Sequence, residues 1–230
     1  MIIWSSIALI ACGLAIYIFE IRPYQAYKKV TTKQRGNKSE RHLVYKLVKN
    51  NFHHKAIFHD LYLNTSANKY AQIDIVVATK VGLIVIEVKD YSGWLFGKGH
   101  QEKWTQILNY GKAKYRFYNP ILQNKNHIEH LKRKLPKENI PIFSVVVFYG
   151  NCMLKDIDYI PKNTFLATSN KAIYLIKKII KENEPATYKN KHEIVRVLKA
   201  AVNNGDSKDI QQQHVQNIKE KLGKHRIYKW

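Results

Sequence analysis

Glu87 and Lys89 stand two residues apart at the end of an apolar run, Leu83 to Val88 (LIVIEV). Alternate residues of a strand share a face. Both side chains would therefore enter one cleft while Val88 faces a core. Asp74 interrupts a second β-rich run, residues 70–79 (YAQIDIVVAT), and can join them from a neighbouring strand. Two carboxylates held together repel each other, and a divalent cation between them removes the conflict. Hard oxygen ligands suit Mg²⁺ (or Mn²⁺), which takes one or two carboxylates and fills its other positions with water and phosphate. The chemistry would be phosphodiester hydrolysis. The cation polarises the phosphate and activates water, and Lys89 adds positive charge where negative charge develops. A surface Glu–Lys pair and an unrelated Asp give the same spacing. The neighbours weigh against that plainer reading, because charges set among Ile73, Ile75, Val76, Ile84, Val85 and Ile86 need a partner, a metal or a sheet edge.

Other candidates are weaker. His127 and His130 are three apart on an expected helix, but Lys125 and Glu129 beside them suggest a solvated face. His53 and His54 are read as the end of a helix, where His suits the dipole. No His/Cys set has zinc spacing, and no Ser is flanked by glycines as a nucleophile elbow. Gly93, Gly97 and Gly99 fit neither phosphate-loop fingerprint. Residues 103–134 hold Lys103, Lys112, Lys114, Arg116, Lys125, Lys132, Arg133 and Lys134 against one acid, Glu129, with Trp104, Tyr110, Tyr115, Phe117 and Tyr118 interleaved. Phosphate contacts from the cations and stacking from the rings would suit a nucleic acid. A solvated charged face over core aromatics reads the same way.

Positioning these residues requires an alternation of helices and strands. Ser39 is a plausible N-cap for a helix carrying Glu40, with Leu43, Val44, Leu47 and Val48 on its apolar face. Residues 56–63 read as a strand, 64–68 as a turn, and 70–79 and 83–88 as two central strands. Tyr91 to Trp104 reads as a hairpin loop leading to a short strand near Trp104. Asn119-Pro120 opens a helix carrying Gln123 and ending at Pro136. Residues 142–149 and 164–168 read as strands, and 170–182, 189–201 and 209–222 as helices.

The chain has 230 residues and a formal net charge of +22, yet 45% are apolar and 12% aromatic. A core is affordable, so disorder does not explain the charge. Two Cys exclude a disulfide scaffold. The charge points to a polyanionic partner, nucleic acid or an anionic membrane. Met1 to Phe19 carry no charge, and a helix of that length spans about 28 Å, close to a bilayer core. Trp4, Tyr17 and Tyr24 suit interfacial belts. Arg22, Lys28, Lys29, Lys33, Arg35 and Lys38 follow with no acid among residues 22–38. That flank would place the C-terminal side in the cytoplasm and contact anionic lipid. Cys12 within the span and Cys152 beyond it could not pair. The expectation is a single-pass membrane protein anchored in the lipid bilayer by residues 1–21.

Four stretches in order carry a family resemblance: Arg35-Gly36-Asn37-Lys38-Ser39-Glu40; Gln72-Ile73-Asp74; Ile86-Glu87-Val88-Lys89-Asp90-Tyr91-Ser92-Gly93; and Asn119-Pro120-x2-Gln123-Asn124. Together they resemble the nuclease-related domain (NERD) family over about residues 35–150. The family is assigned to the PD-(D/E)xK superfamily. The resemblance implies an α/β, restriction-endonuclease-like mixed β-sheet flanked by helices. It implies that Glu40, Asp74, Glu87 and Lys89 line the active centre, with Asp74, Glu87 and Glu40 serving the metal. Gln123 would contact substrate or the metal's shell. Gly36-Asn37 departs from the glycine-glutamate pair common in the family. The expected organisation is an anchor at 1–21, a basic juxtamembrane linker at 22–34, a nuclease-related domain at 35–170 and a basic helical extension at 171–230. The expected function is Mg²⁺-dependent cleavage of DNA at the membrane. A nucleic-acid-binding module without catalysis and a membrane-associated scaffold are the alternatives.

Overall fold

The computed structural model describes residues 10–66 and 69–222. Its centre is β3 (Gly82–Asp90), apolar over most of its length because both faces are covered. β2 (Lys69–Thr79) pairs antiparallel on one side and β7 (Ile142–Tyr149) parallel on the other. β1 (Ile57–Ser66) and β9 (Thr164–Thr168) complete a five-stranded sheet in the order β1-β2-β3-β7-β9. One face packs on α2 (Lys38–Lys49) and α4 (Ala172–Glu182), with Leu43, Leu47, Ile84, Ile86, Val145 and Ile176 at its centre. The other packs on α3 (Pro120–Lys134) and α5 (Lys191–Asn204), through Val76, Val85, Ile128, Leu131, Ile194 and Leu198. Residues 171–204 therefore complete both helical layers. α6 (Lys208–Leu222) lies against β2. The expected mixed sheet flanked by helices is present.

A second sheet was not expected. β4 (Gly93–Lys98), β5 (Lys103–Leu108), β6 (Ala113–Tyr118) and β8 (Cys152–Asp158) pair in the order β6-β5-β4-β8. It continues the first. β3 runs on into β4 and β7 into β8, and Tyr91 N–H donates to the Tyr149 carbonyl (3.2 Å) and Gly93 N–H to that of Asn151 (3.0 Å) across the join. Most of the segment read as a hairpin loop is thus strand. Its glycines fit that role. The Trp104 ring occupies the space a Cβ on Gly97 would need, and Trp104 stacks on Phe148 at 6.3 Å. Glycine in a strand marks such a close approach.

Two helix ends differ from expectation. Asn37, not Ser39, caps α2: its side chain accepts from Glu40 N–H (3.0 Å). Ser39 lies inside the helix and donates to Asp90 Oδ2 (2.5 Å). α2 stops at Lys49, and His54–Ala56 forms a separate 3₁₀ turn, so the two histidines cap nothing on α2.

The expected membrane span is corrected. Residues 1–9 lie outside the described residues, and among the described residues no helix is long and apolar enough to cross a membrane. Residues 10–16 are helical and lead through a π turn (Tyr17–Ile21) into α1 (Arg22–Lys28). Charge enters this stretch at Glu20, which accepts from Lys49 of α2 at 2.8 Å. The basic stretch is not a free linker: Tyr27 packs edge-on against Tyr45 at 5.9 Å, and Thr31 and Arg35 are buried. Nothing among the described residues supports the single-pass placement, the cytoplasmic assignment or the lipid contacts at 1–21 and 22–38.

Candidate active site

The site forms where β1, β2 and β3 stop behaving as a regular sheet. β1 and β2 pair from Ile57 to His59 against Val77 to Ile75, skip Asp60 and Asp74, and resume at Leu61 against Ile73. Asp60 has φ +57°. Phe58 and Leu61 share one core cluster although three residues apart, as do Ile73 and Val76. The alternation of both strands thus breaks at the two aspartates. The β2–β3 ladder also ends there, at Ile75 opposite Ile86. Past that point no β2 residue lies opposite Val88 in the ladder, and its buried N–H must find a partner. Asp74 Oδ2 accepts it at 2.7 Å. The opening between two central strands is what gives a carboxylate access to a buried position.

Glu87 and Lys89 point the same way, as their spacing requires. Lys89 Nζ lies 2.6 Å from Glu87 Oε1. The second oxygen, Oε2, lies 3.3 Å from Nε2 of His127 on α3. Neither of those two atoms has an aligned hydrogen bond, although both are buried. Burial alone would raise the Glu87 carboxyl, but Lys89 and then His127 outweigh it and hold it below the usual range. Burial alone would depress the Lys89 ammonium, and Glu87 and Asp74 more than reverse that. Asp74 goes the other way. Burial first, then repulsion from Glu87 and Glu40, push its carboxyl well above the usual carboxylate range. The centre thus holds one carboxylate kept ionised chiefly by Lys89 and one pushed towards protonation by burial and its acidic neighbours.

Glu40 reaches this centre from the opposite helical layer. Asn37 Nδ2 donates to its Oε1, and His59 Nε2 lies 3.3 Å from its Oε2. Gly36 precedes them at φ +54°, and a Cβ there would collide with Glu40 Oε2 and come within 2.7 Å of His59 Nε2. Both the conformation and the space demand glycine. Arg35 is buried and donates to the carbonyls of His59 (3.4 Å) and Val202 and to Asp206 Oδ1 (3.0 Å). The first motif thus locks β1 to the start of the α5–α6 connection while delivering Glu40. Among the described residues no group of three or more His, Cys, Asp or Glu side chains is arranged to hold a metal. Asp74 and Glu87 are the carboxylates a hard cation could use.

α3 carries the fourth motif, and its residues divide by face. Asn119 accepts from Ile121 N–H (2.8 Å) as the cap, and its amide donates to the Lys98, Gly99 and Gln101 carbonyls. Asn124 is fully buried and donates to the Val85 carbonyl and Ser144 Oγ, both at 2.9 Å, tying α3 to β3 and β7. Gln123, His127 and His130 instead line a cleft of about 460 Å³ between α3, β2 and α6.

A model of the nuclease-related domain (NERD) matches residues 35–149. The chain belongs to the NERD family. The match ends on the last residue of β7, so β8, β9 and α4–α6 lie beyond the NERD domain as the family defines it. An uncharacterized protein of Bacillus anthracis is 27% identical over 200 residues, covering 86% of this chain and 90% of that protein. That likeness is longer than the NERD domain. No solved structure matches.

Around the NERD centre, Lys103, Lys112, Lys114 and Arg116 are exposed on β5, the following turn and β6. Cross-strand pairing puts Lys103 opposite Tyr118 and Arg116 opposite Thr105, so Lys103, Lys114 and Arg116 share a face with Tyr118, which lines the cleft. Lys125, Lys132 and Arg133 are exposed on the outward side of α3, where Lys132 pairs with Glu129 (3.2 Å). His127 is the residue that the sequence reading set aside. Lys125 and Glu129 are its sequence neighbours but occupy another helix face. The spacing of 123, 127 and 130, four and then three residues, is the signal that places it beside Gln123.

Proposed function

We propose that the domain hydrolyses phosphodiester bonds of nucleic acid, DNA being the expected form, with a divalent cation at Asp74 and Glu87. The observation that carries this reading is a buried, mutually repelling carboxylate pair with one oxygen, Glu87 Oε2, lacking an aligned hydrogen bond. Mg²⁺ or Mn²⁺ fits such a pair, because it needs only one or two carboxylates and takes water and phosphate for the rest. When bound, the cation would polarise the phosphate and lower the pKa of water. Lys89, at the mouth of the same β2–β3 opening, would neutralise charge developing on the phosphate oxygens. Water adds to phosphorus, the P–O bond to the leaving nucleotide breaks, and the leaving oxygen takes a proton. Glu40 would act through the field it exerts at Asp74, since both its oxygens face Asn37 and His59. Gln123 would meet the substrate in the cleft.

One observation favours binding without catalysis: Lys89 Nζ lies 2.6 Å from Glu87 Oε1 and offsets charge that a metal would otherwise meet. The test is cleavage of labelled DNA by the full chain in Mg²⁺ or Mn²⁺ and in chelator. Cation-dependent cleavage that Glu87→Gln and Lys89→Ala each lower by about a hundredfold or more supports hydrolysis. Steeply salt-dependent binding with no cleavage in any cation supports the binding module.

A further inference from the structure

We propose that the nucleic acid enters as a single strand, through the cleft between α3 and α6, and that α6 imposes this preference. The inference rests on the reading of the Asp74–Glu87 centre as the phosphodiester site. The cleft leads there: His127 lines it and lies 3.3 Å from Glu87 Oε2, and Gln72 lines it two residues before Asp74. Its volume of about 460 Å³ falls among the clefts and cavities of roughly 300–1,000 Å³ that take a small molecule or a nucleotide-sized group. α6 closes one side. His214 Nδ1 donates to the Tyr70 carbonyl (2.8 Å), and its ring meets Tyr62 edge-on at 5.5 Å, which seats the helix on the β1–β2 hairpin. Asn217 of α6 then faces the cleft.

The lining carries groups that suit bases, beside Lys69, His127 and His130, which suit a phosphate. Tyr70 and Tyr118 contribute rings, Gln123 contributes an amide that can donate and accept, and Gln72, whose Nε2 donates to Asp60 Oδ1 (2.8 Å), keeps its carbonyl oxygen as an acceptor. A duplex keeps its base faces stacked and its pairing edges engaged. Only an unpaired strand presents both to such groups. Aromatic stacking at each base is the usual source of single-strand affinity. Lys114 and Arg116 share the Tyr118 face of β6 and would lead the backbone towards the cleft. Nothing in the NERD match supplies α6, so the preference would come from outside the family domain.

The test uses the full chain and a mixed-sequence DNA oligonucleotide, single-stranded or as its blunt duplex, at one fixed salt concentration. Binding is measured in chelator, and cleavage separately in Mn²⁺. The single strand is expected to bind about tenfold more tightly than the duplex. Asn217→Trp, which fills the cleft from α6, and Tyr118→Ala, which removes a ring on the opposite wall, should each abolish most of that difference with unchanged melting temperature. Equal binding of the two forms, or a preference that survives both variants, overturns the proposal. Cleavage of both forms at equal rates also overturns it and leaves the hydrolase reading standing. Cleft-dependent single-strand binding with no cleavage does the reverse.

Discussion

Lys89 on the first sheet and Lys114 on the second are the same residue type on strands, with opposite surroundings. Lys89 has 19% of its side chain exposed and a carboxylate oxygen at 2.6 Å. Lys114 is exposed on β6, an edge strand of the second sheet. In the interior, losing one partner of an ion pair leaves an uncompensated charge, which costs far more than the pair is worth in net terms. At the surface, water and salt screen the same charge, and its removal changes little. The first sheet's charges are therefore tied to the fold as well as to any chemistry. The second sheet's charges are available to a partner and nearly irrelevant to folding.

The sharpest way to break this contrast is Glu87→Gln, which leaves the half-buried Lys89 beside a neutral amide. A loss of about 3–5 kcal/mol at neutral pH is expected, read as a shift in denaturant midpoint. Glu87 is held below its ordinary value of 4.5. Its contribution is therefore present above that value and disappears as pH falls through the lowered one. The difference between wild type and Glu87→Gln should close in acid. Equal midpoints at neutral pH would mean the pair is solvent-screened after all. Arg35→Ala comes next, at about 2–3 kcal/mol, because three acceptors, on β1, the last turn of α5 and the α5–α6 connection, lose a charged donor. Arg35→Lys should not restore it, since one ammonium cannot reproduce a planar fork of donors. A full rescue by Lys would mean that charge alone, without the fork, holds the α5–α6 connection.

The same contrast decides what was legible in the sequence. β3 and β7 were legible because strands buried on both faces must be apolar throughout. Asp74, Glu87 and Lys89 were legible because charges are conspicuous in such runs. β4, β6 and β8 were not. An edge strand such as β6 (AKYRFY) has one wet face and polar residues that read equally as loop, and β4 carries two glycines that punctuate a sequence reading. The reason for Gly97, a tryptophan ring packed on its backbone, exists only in three dimensions. The break at Asp60 was also invisible, because a left-handed aspartate within a strand leaves no periodic trace. His127 was hidden by its sequence neighbours, although the helical period alone separates it from them. The apolar N-terminal stretch misled in the other direction: composition suggested a span that no described helix provides.

Asp74→Asn tests the smaller effect within the first sheet, and its sign is opposite to that of Glu87→Gln. Asp74 is raised above its ordinary value of 3.8 by burial and by Glu87 and Glu40. A raised acid supports the fold below its ordinary value and opposes it as pH climbs through the raised one. In chelator at neutral pH, Asp74→Asn should therefore stabilise by on the order of 1 kcal/mol, and the gain should vanish in acid. A destabilised Asp74→Asn would mean that the bond to Val88 N–H outweighs the repulsion.

The smallest effect on stability is expected for Lys114→Ala and Arg116→Ala, no more than about 0.5 kcal/mol each. Their effect on binding should be plain and of one kind. Each phosphate contact removed lowers the slope of log K against log salt by about 1, without changing any preference between single strand and duplex. That pairing of outcomes, an unmoved melting temperature with a shallower salt slope, is what separates an exposed contact from a buried one. If either variant instead lowered the melting temperature as Glu87→Gln should, the second sheet's charges would be part of the fold, and the division between the two sheets would fail.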